Sequence, residues 1–76
     1  MFDRISADPA VLGGKPCIKG TRLSVEFILE LIASKATHDQ IVQRYPQLTL
    51  AGVEQAVLFA AHSLKNSTFL NERLAG

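Results

Sequence analysis

The 76-residue chain has little of what disulfide frameworks, metal sites and membrane spans require. Its one cysteine, Cys17, cannot form a disulfide within the chain, and no cysteine–histidine set has the spacing of metal ligands. No run approaches the roughly 18 apolar residues of a membrane span. The N-terminal residues carry acids and lack the apolar stretch of a signal peptide. We therefore expect a cytoplasmic protein without a disulfide, metal, cofactor or membrane segment.

Length and composition predict one small folded domain. Apolar residues make up 47% of the chain and charged residues 20%, as in globular rather than disordered proteins. A core in a chain of this length is close to the lower limit of independent stability, which favours a dimer or a bound partner. The net charge of +1 is small, so only local clusters of charge can indicate what that partner is.

The segment GGKPCIKGTR, residues 13–22, holds three cations and no acid. It does not fit a nucleotide-binding loop, because Gly20 is followed by Thr21 and Arg22 rather than by lysine and serine or threonine, and because Pro16 lacks a backbone donor. Two interpretations remain open. The segment is either a turn with solvated cations or a basic arm that tracks a phosphate backbone.

Helical patterns begin at Ser24. Ser24 is a good N-cap for a first helix, Thr37 and Gln40 have the capping-box spacing for a second helix, and Thr49 is placed to cap a third. Pro46 is expected to close the second helix. The first and third helices have apolar faces with helical spacing: Val25, Ile28, Leu29 and Ile32, then Val53, Ala56, Val57, Ala60 and Leu64.

The fold class predicted from these patterns is mainly α. Residues 23–66 are expected to form a three-helix core of homeodomain-like or helix-turn-helix type, although any small three-helix bundle gives the same pattern. Residues 1–22 are expected to form an irregular β-arm or small hairpin with strands at Phe2–Ser6 and Cys17–Ile18 and a turn at Gly13–Gly14. Residues 67–76 are a tail that either binds a partner or is disordered.

Two stretches, GGKPCIKGTRLSVEFIL and YPQLTLAGVEQAV, make the chain resemble the prokaryotic family catalogued as domain of unknown function four-three-three. The motif residues are Gly13, Gly14, Lys15, Pro16, Gly20, Thr21, Arg22, Tyr45, Pro46, Leu48 and Thr49. That family is similar to antitoxins of VapB type, often encoded beside a toxin with a PIN-like nuclease fold. The resemblance implies a homeodomain-like core, a homodimer, neutralisation of the toxin and binding of the operon's own promoter.

The chain departs from the family pattern at two places. Ala51 and Gly52 stand where the family often has an acidic pair, and Gly52 is expected to weaken the first turn of the third helix. Cys17 stands where a plain aliphatic residue is usual, which is harmless if the side chain is buried.

No arrangement of side chains indicates catalysis. His38 and His62 are predicted to be exposed, and neither is placed near Cys17 to act as its base. The aspartates form no recognisable pair for acid–base chemistry. We expect the protein not to be an enzyme, and a redox or small-ligand role for Cys17 is a third alternative.

The basic arm supplies most of the predicted DNA contacts. Glu54 would repel phosphates, and the third helix has no lysine or arginine before Lys65, so affinity is expected to come from the arm with help from the second helix. Gln55 is expected to contact an adenine edge. The predicted DNA-binding residues are Lys15, Lys19, Thr21, Arg22, Arg44 and Gln55.

Large apolar residues off the two helical stripes predict an interface with a second copy or with the toxin. On the helices they are Phe27, Leu31, Leu58 and Phe59. In the tail, Phe69, Leu70, Arg73 and Leu74 would share one face if helical. The leading hypothesis is thus a dimeric antitoxin that binds a PIN-like nuclease toxin and its own promoter. The alternative is a protein–protein interaction module without DNA binding.

Overall fold

The computed structural model describes residues 2–65. Two short strands, β1 (Ile5–Ser6) and β2 (Cys17–Ile18), precede three helices: α1 (Val25–Ala33), α2 (His38–Arg44) and α3 (Leu50–Lys65). The predicted order of elements, a small hairpin followed by three helices, is confirmed. Within residues 2–65 none of the helices is long and apolar enough to cross a membrane.

The two strands of the hairpin are antiparallel, and β2 forms backbone hydrogen bonds along both of its edges. Ile5 pairs with Ile18, and Ser6 pairs with Cys17. On the other side of β2, the amide of Val25 donates to the carbonyl of Pro16 and the amide of Ile18 donates to the carbonyl of Leu23, each at 2.9 Å. The hairpin is therefore continuous with the start of α1.

A 3-10 turn, Leu12–Gly14, lies between the two strands. All three of its residues have positive φ: 51° at Leu12, 67° at Gly13 and 89° at Gly14. Glycine adopts this left-handed region without a steric penalty, whereas a residue with a Cβ atom is strained there. The glycine pair is therefore explained by the shape of the turn.

Side-chain caps begin the helices where the sequence predicts them. The hydroxyl of Ser24 accepts from the amide of Phe27 at 2.9 Å. Thr37 and Gln40 form the complete capping box of α2, which ends at Arg44, two residues before Pro46. The hydroxyl of Thr49 accepts from the amide of Gly52 at 3.0 Å. These bonds satisfy amide groups that a helix start leaves without partners.

The core joins all three helices and the hairpin. The largest fully buried side chains are Ile28, Ile41 and Val53, one from each helix. Ile18 of β2 belongs to the same cluster and is 5% exposed. Of the two predicted forms of residues 1–22, the small hairpin is therefore the one observed, and its strand β2 packs within the core.

Gly52 lies at a close approach between α3 and β2. It is buried, and a Cβ atom at this position would lie 3.6 Å from Cγ2 of Ile18 and 3.3 Å from Oγ1 of Thr49. The missing side chain thus leaves room for the hairpin and for the cap of α3. The low helix propensity of glycine is offset here by close packing.

Candidate functional site

The basic end of the hairpin, residues 18–22, is a tightly hydrogen-bonded turn. The amide and the hydroxyl of Thr21 both donate to the carbonyl of Ile18, at 3.0 and 2.8 Å, and the same hydroxyl accepts from the amide of Leu23 at 3.0 Å. Gly20 has a φ of 81°. Thr21 therefore shapes the turn, and its hydroxyl is occupied within the chain.

The three cations predicted to bind phosphate line three different surface depressions. Lys15 lies beside α1, where its ammonium group is 3.2 Å from a carboxylate oxygen of Glu26. Lys19 shares a polar depression with Arg4 and the start of α3, and Arg22 lines a separate one on the other side of the hairpin. The arm does not present its cations as one continuous patch.

Lys19 and Arg22 are nevertheless available to a ligand. Both side chains are exposed, and neither forms an ion pair with any residue in the range 2–65. The backbone beneath Lys19 is fixed because its amide donates to the carbonyl of Arg4 at 2.8 Å. Arg44, in the last turn of α2, is also exposed but lines neither depression.

Gln55 holds the N-terminal residues against α3. Its Oε1 accepts from the amide of Arg4 at 3.0 Å, and its Nε2 donates to a carboxylate oxygen of Asp3 at 2.8 Å. The bond from Gln55 is the main cause that lowers the pKa of Asp3 below its ordinary value of 3.8. The oxygen and the nitrogen of the amide each hold a partner within the chain, so a bidentate contact with an adenine edge would compete with these bonds. This geometry argues against the predicted role of Gln55 in base recognition.

Three of the four helical residues predicted for an interface pack inside the domain instead. The Phe27 ring stacks edge-to-face on Tyr45 with centroids 5.6 Å apart, and the Phe59 ring stacks on Phe2 in the same way at 5.4 Å. Leu31 is half-buried against the core cluster. All three side chains are half-buried and make contacts within the domain. An interface role remains a prediction.

Leu58 keeps the exposure that the prediction required. It is 60% exposed and lies beside Phe2, Ala61 and Lys65 on the side of α3 that faces away from the core. The four tail residues predicted for the interface, Phe69, Leu70, Arg73 and Leu74, lie outside the described residues.

A groove between α1 and the C-terminal half of α3 was not predicted from the sequence. It has a volume of about 640 Å³, and its walls are mainly apolar. We call it the α1/α3 groove; its lining residues are Lys15, Pro16, Ser24, Val25, Glu26, Leu29, Glu30, Ala33, Phe59, Ala60, Ser63 and Leu64. One sequence signal was available, because the apolar stripe of α3 continues to Leu64 although the predicted first helix is much shorter.

Cys17 is buried within the hairpin. It is 2% exposed, and its thiol donates to the carbonyl of Lys15 at 3.3 Å. The expectation that a cysteine here is harmless when buried is consistent with this packing. Cys17 also lines the depression beside Arg22, but almost all of its surface is covered.

A protein family described as "Protein of unknown function (DUF433)" matches residues 5–60. The chain belongs to this family. A search of the solved structures finds the crystal structure of a DUF433 member protein from Anabaena variabilis ATCC 29413 at 2.00 Å resolution. That structure is similar with a TM-score of 0.75 and 23% sequence identity, over 97% of this chain and 70% of the other. No curated protein matches the chain.

The DUF433 match covers the basic turn and most of the α1/α3 groove. Residues 5–60 include the basic turn, the capped start of α3 and Gln55. They end within α3, before Ser63 and Leu64 of the α1/α3 groove. The resemblance drawn from the motif residues is confirmed at the level of this family.

Proposed function

We propose that this DUF433 protein is an antitoxin-like regulator, which binds its own promoter as a homodimer and neutralises a toxin with a PIN-like nuclease fold. In this proposal α2 and α3 act as the two helices of a helix-turn-helix, joined by residues 45–49. The toxin part of the proposal is supported by the motif residues of the DUF433 family, which resembles VapB-type antitoxins. The surface beside α3 supports the DNA part.

The observation that carries the DNA part is the position of Lys19. Exposed Lys19 lines the same depression as Thr49 and Gly52, at the start of α3, together with a second cation, Arg4, and one acid, Asp3. The dipole of α3 is positive at this end and favours anions, although the amide of Gly52 is already bonded to the Thr49 hydroxyl. Lysine and arginine beside it neutralise phosphate and release counterions. This corner of the domain is therefore suited to one strand of a nucleic-acid backbone.

The same surface predicts how DNA is recognised. Glu54 is exposed on α3, and the amide of Gln55 is occupied by Asp3 and Arg4. Few groups are thus left on the first turns of α3 to contact base edges. We therefore expect phosphate contacts to supply most of the affinity for promoter DNA, and this affinity to depend strongly on salt.

Titration of the upstream promoter DNA with the Lys19→Ala/Arg22→Ala variant tests this proposal. The slope of log K against log salt is expected to become shallower by roughly two, because each phosphate contact contributes about 0.9. A variant with the same loss of charge, Lys35→Ala/Lys65→Ala, removes two exposed cations away from the hairpin and is expected to bind nearly as the wild type. An equal loss of DNA affinity in both variants would contradict DNA recognition through the hairpin. So would a wild-type protein that does not bind the promoter DNA.

A protein-only interaction module is the second candidate, favoured by the exposed Leu58 and by the α1/α3 groove. In that case the hairpin cations bind acidic groups of a protein partner. Co-expression with the product of the adjacent gene separates the two candidates. A complex that inhibits nuclease activity and also shifts promoter DNA supports the full proposal, whereas inhibition without any DNA shift supports the module.

A further inference from the structure

The outer side of α3 carries a stripe of residues with the spacing of a contact line between two packed helices. Four exposed residues follow one another at intervals of four, three and four positions: Glu54, Leu58, Ala61 and Lys65. An α-helix turns by about 100° per residue, so the four share one narrow face, opposite the buried residue Ala56. The same spacing defines the seam of a coiled coil. We call these four residues the α3 seam.

Leu58 is the apolar centre of the α3 seam and lies between two depressions that it helps to line. It is 60% exposed. On one side is a mainly apolar depression of about 420 Å³, whose lining includes Phe2 and Ala61. On the other side the lining includes His38 and Val57. An exposed leucine next to an apolar depression is a surface that fits a copy of itself, because each leucine can fill the depression of the other copy.

The charges at the two ends of the α3 seam favour an antiparallel copy. Neither Glu54 nor Lys65 forms an ion pair with any residue in the range 2–65. Glu54 precedes Leu58 by four positions, and Lys65 follows Ala61 by four positions. When Leu58 lies opposite Ala61 of an antiparallel second copy, Glu54 therefore lies opposite its Lys65. A parallel pair would instead place like charges opposite each other.

We infer that the protein dimerises through the α3 seam, with the α3 helices of two copies packed antiparallel about a two-fold axis. The inference rests on the homodimer of the proposed function and specifies its surface. Exposed ion pairs contribute little affinity, so Leu58 supplies most of the binding energy and the charges select the orientation. Lys65→Ala alone is therefore expected to leave the dimer largely formed.

The phosphate-binding corner stays open in this dimer. Gly52, which lines the depression of Lys19, is buried on the side of α3 that faces away from the α3 seam. The second copy covers the outer face of α3 instead. DNA is then held by the two hairpin corners rather than along that face, in keeping with the few groups that the first turns of α3 offer to base edges.

Sedimentation of the full-length chain tests the surface. Leu58→Asp places a charge in the α3 seam and is expected to raise the Kd of the dimer by about 100-fold, since a two-fold interface carries the change twice. Leu64→Asp is the matched control. Leu64 is 59% exposed on the same helix but lines the α1/α3 groove, so the Kd is expected to change little. Both side chains are exposed, so both variants should fold, which circular dichroism checks.

Disulfide formation tests the antiparallel register. Glu54→Cys/Lys65→Cys is expected to oxidise to a covalent dimer, whereas neither single variant should, because each position lies opposite the other and not opposite itself. The two positions of one chain are about 16 Å apart along α3, too far for a bond within the chain. Cys17 is buried and present in all three variants, so the single variants also control for its thiol.

The outcomes separate this inference from the proposed function. A dimer that survives Leu58→Asp, or that dissociates equally with Leu64→Asp, would overturn the α3 seam but not the homodimer. Covalent dimers of the single variants would overturn the antiparallel register. A wild-type chain that is monomeric at about 100 μM would overturn both the α3 seam and the proposed homodimer. Failure of a seam-linked dimer to bind promoter DNA would count against the proposed function alone.

Discussion

At the scale of single residues, Gln55 connects the first turn of the chain to the third helix. Its two hydrogen bonds reach Arg4 and Asp3, which are 51 and 52 positions away in the sequence. The sequence contains no local pattern that pairs these residues, so Gln55 looked like a free polar group on an exposed helix face. By contrast, the exposure of Leu58 could be predicted, because it depends only on the position of that residue around α3.

Loss of the Gln55 amide is expected to raise the pKa of Asp3. The bond from Gln55 is the largest cause of the lowered pKa, so in Gln55→Ala the value should return toward 3.8. The wild-type bond contributes stability above that pH, and the contribution is lost as the pH falls through the lowered pKa of the folded state. An NMR titration of the side-chain carboxyl carbon measures the shift. Gln43→Ala, which removes another exposed amide, should leave the Asp3 titration unchanged.

At the scale of helices and turns, α1 ends in a motif that usually contains glycine. The amide of Ala36 donates to the carbonyl of Leu31 at 3.0 Å and the amide of Lys35 to that of Ile32 at 2.9 Å, which is the Schellman pattern. Lys35 has a φ of 74°. A residue with a Cβ atom is strained in this region by about 1–2 kcal/mol. This strained residue lies in the sharp turn that leads from α1 to α2.

Replacement of Lys35 is expected to reveal that strain. Lys35→Gly should be more stable than Lys35→Ala by about 1 kcal/mol, because both lose the same charge and only glycine relieves the left-handed backbone. Urea unfolding measures the difference. Equal midpoints for the two variants would mean that the turn relaxes to a negative φ without loss of structure.

The helix boundaries could be read from local chemistry, but the packing could not. Ser24 and Thr37 start helices through bonds to residues three positions away, and such bonds follow from the sequence itself. The sequence pattern assigned Phe27 to an interface because it predicted a single buried apolar face on the helix. In the structure α1 contacts both α2 and α3, so its buried surface is wider than one stripe, and Phe27 meets Tyr45.

At the scale of the whole molecule, the hairpin is part of the folded core rather than an attachment to it. Ile18→Ala is expected to destabilise the domain by about 2–5 kcal/mol, because it leaves a cavity beside Gly52 that the backbone cannot easily fill. The neighbouring change Lys19→Ala removes an exposed side chain and should stay within about 0.5 kcal/mol of the wild type. Thermal or urea unfolding of both variants checks this. Similar stability of the two would contradict the observed packing of β2.

The contact between the hairpin and α3 also has a consequence during synthesis. The chain emerges from the ribosome with its N-terminal residues first, whereas Gly52 and Gln55, against which those residues pack, emerge more than thirty positions after Ile18. Two-residue strands are marginally stable in water on their own. The face of the hairpin that packs on Gly52 and Gln55 therefore stays uncovered until α3 has been translated.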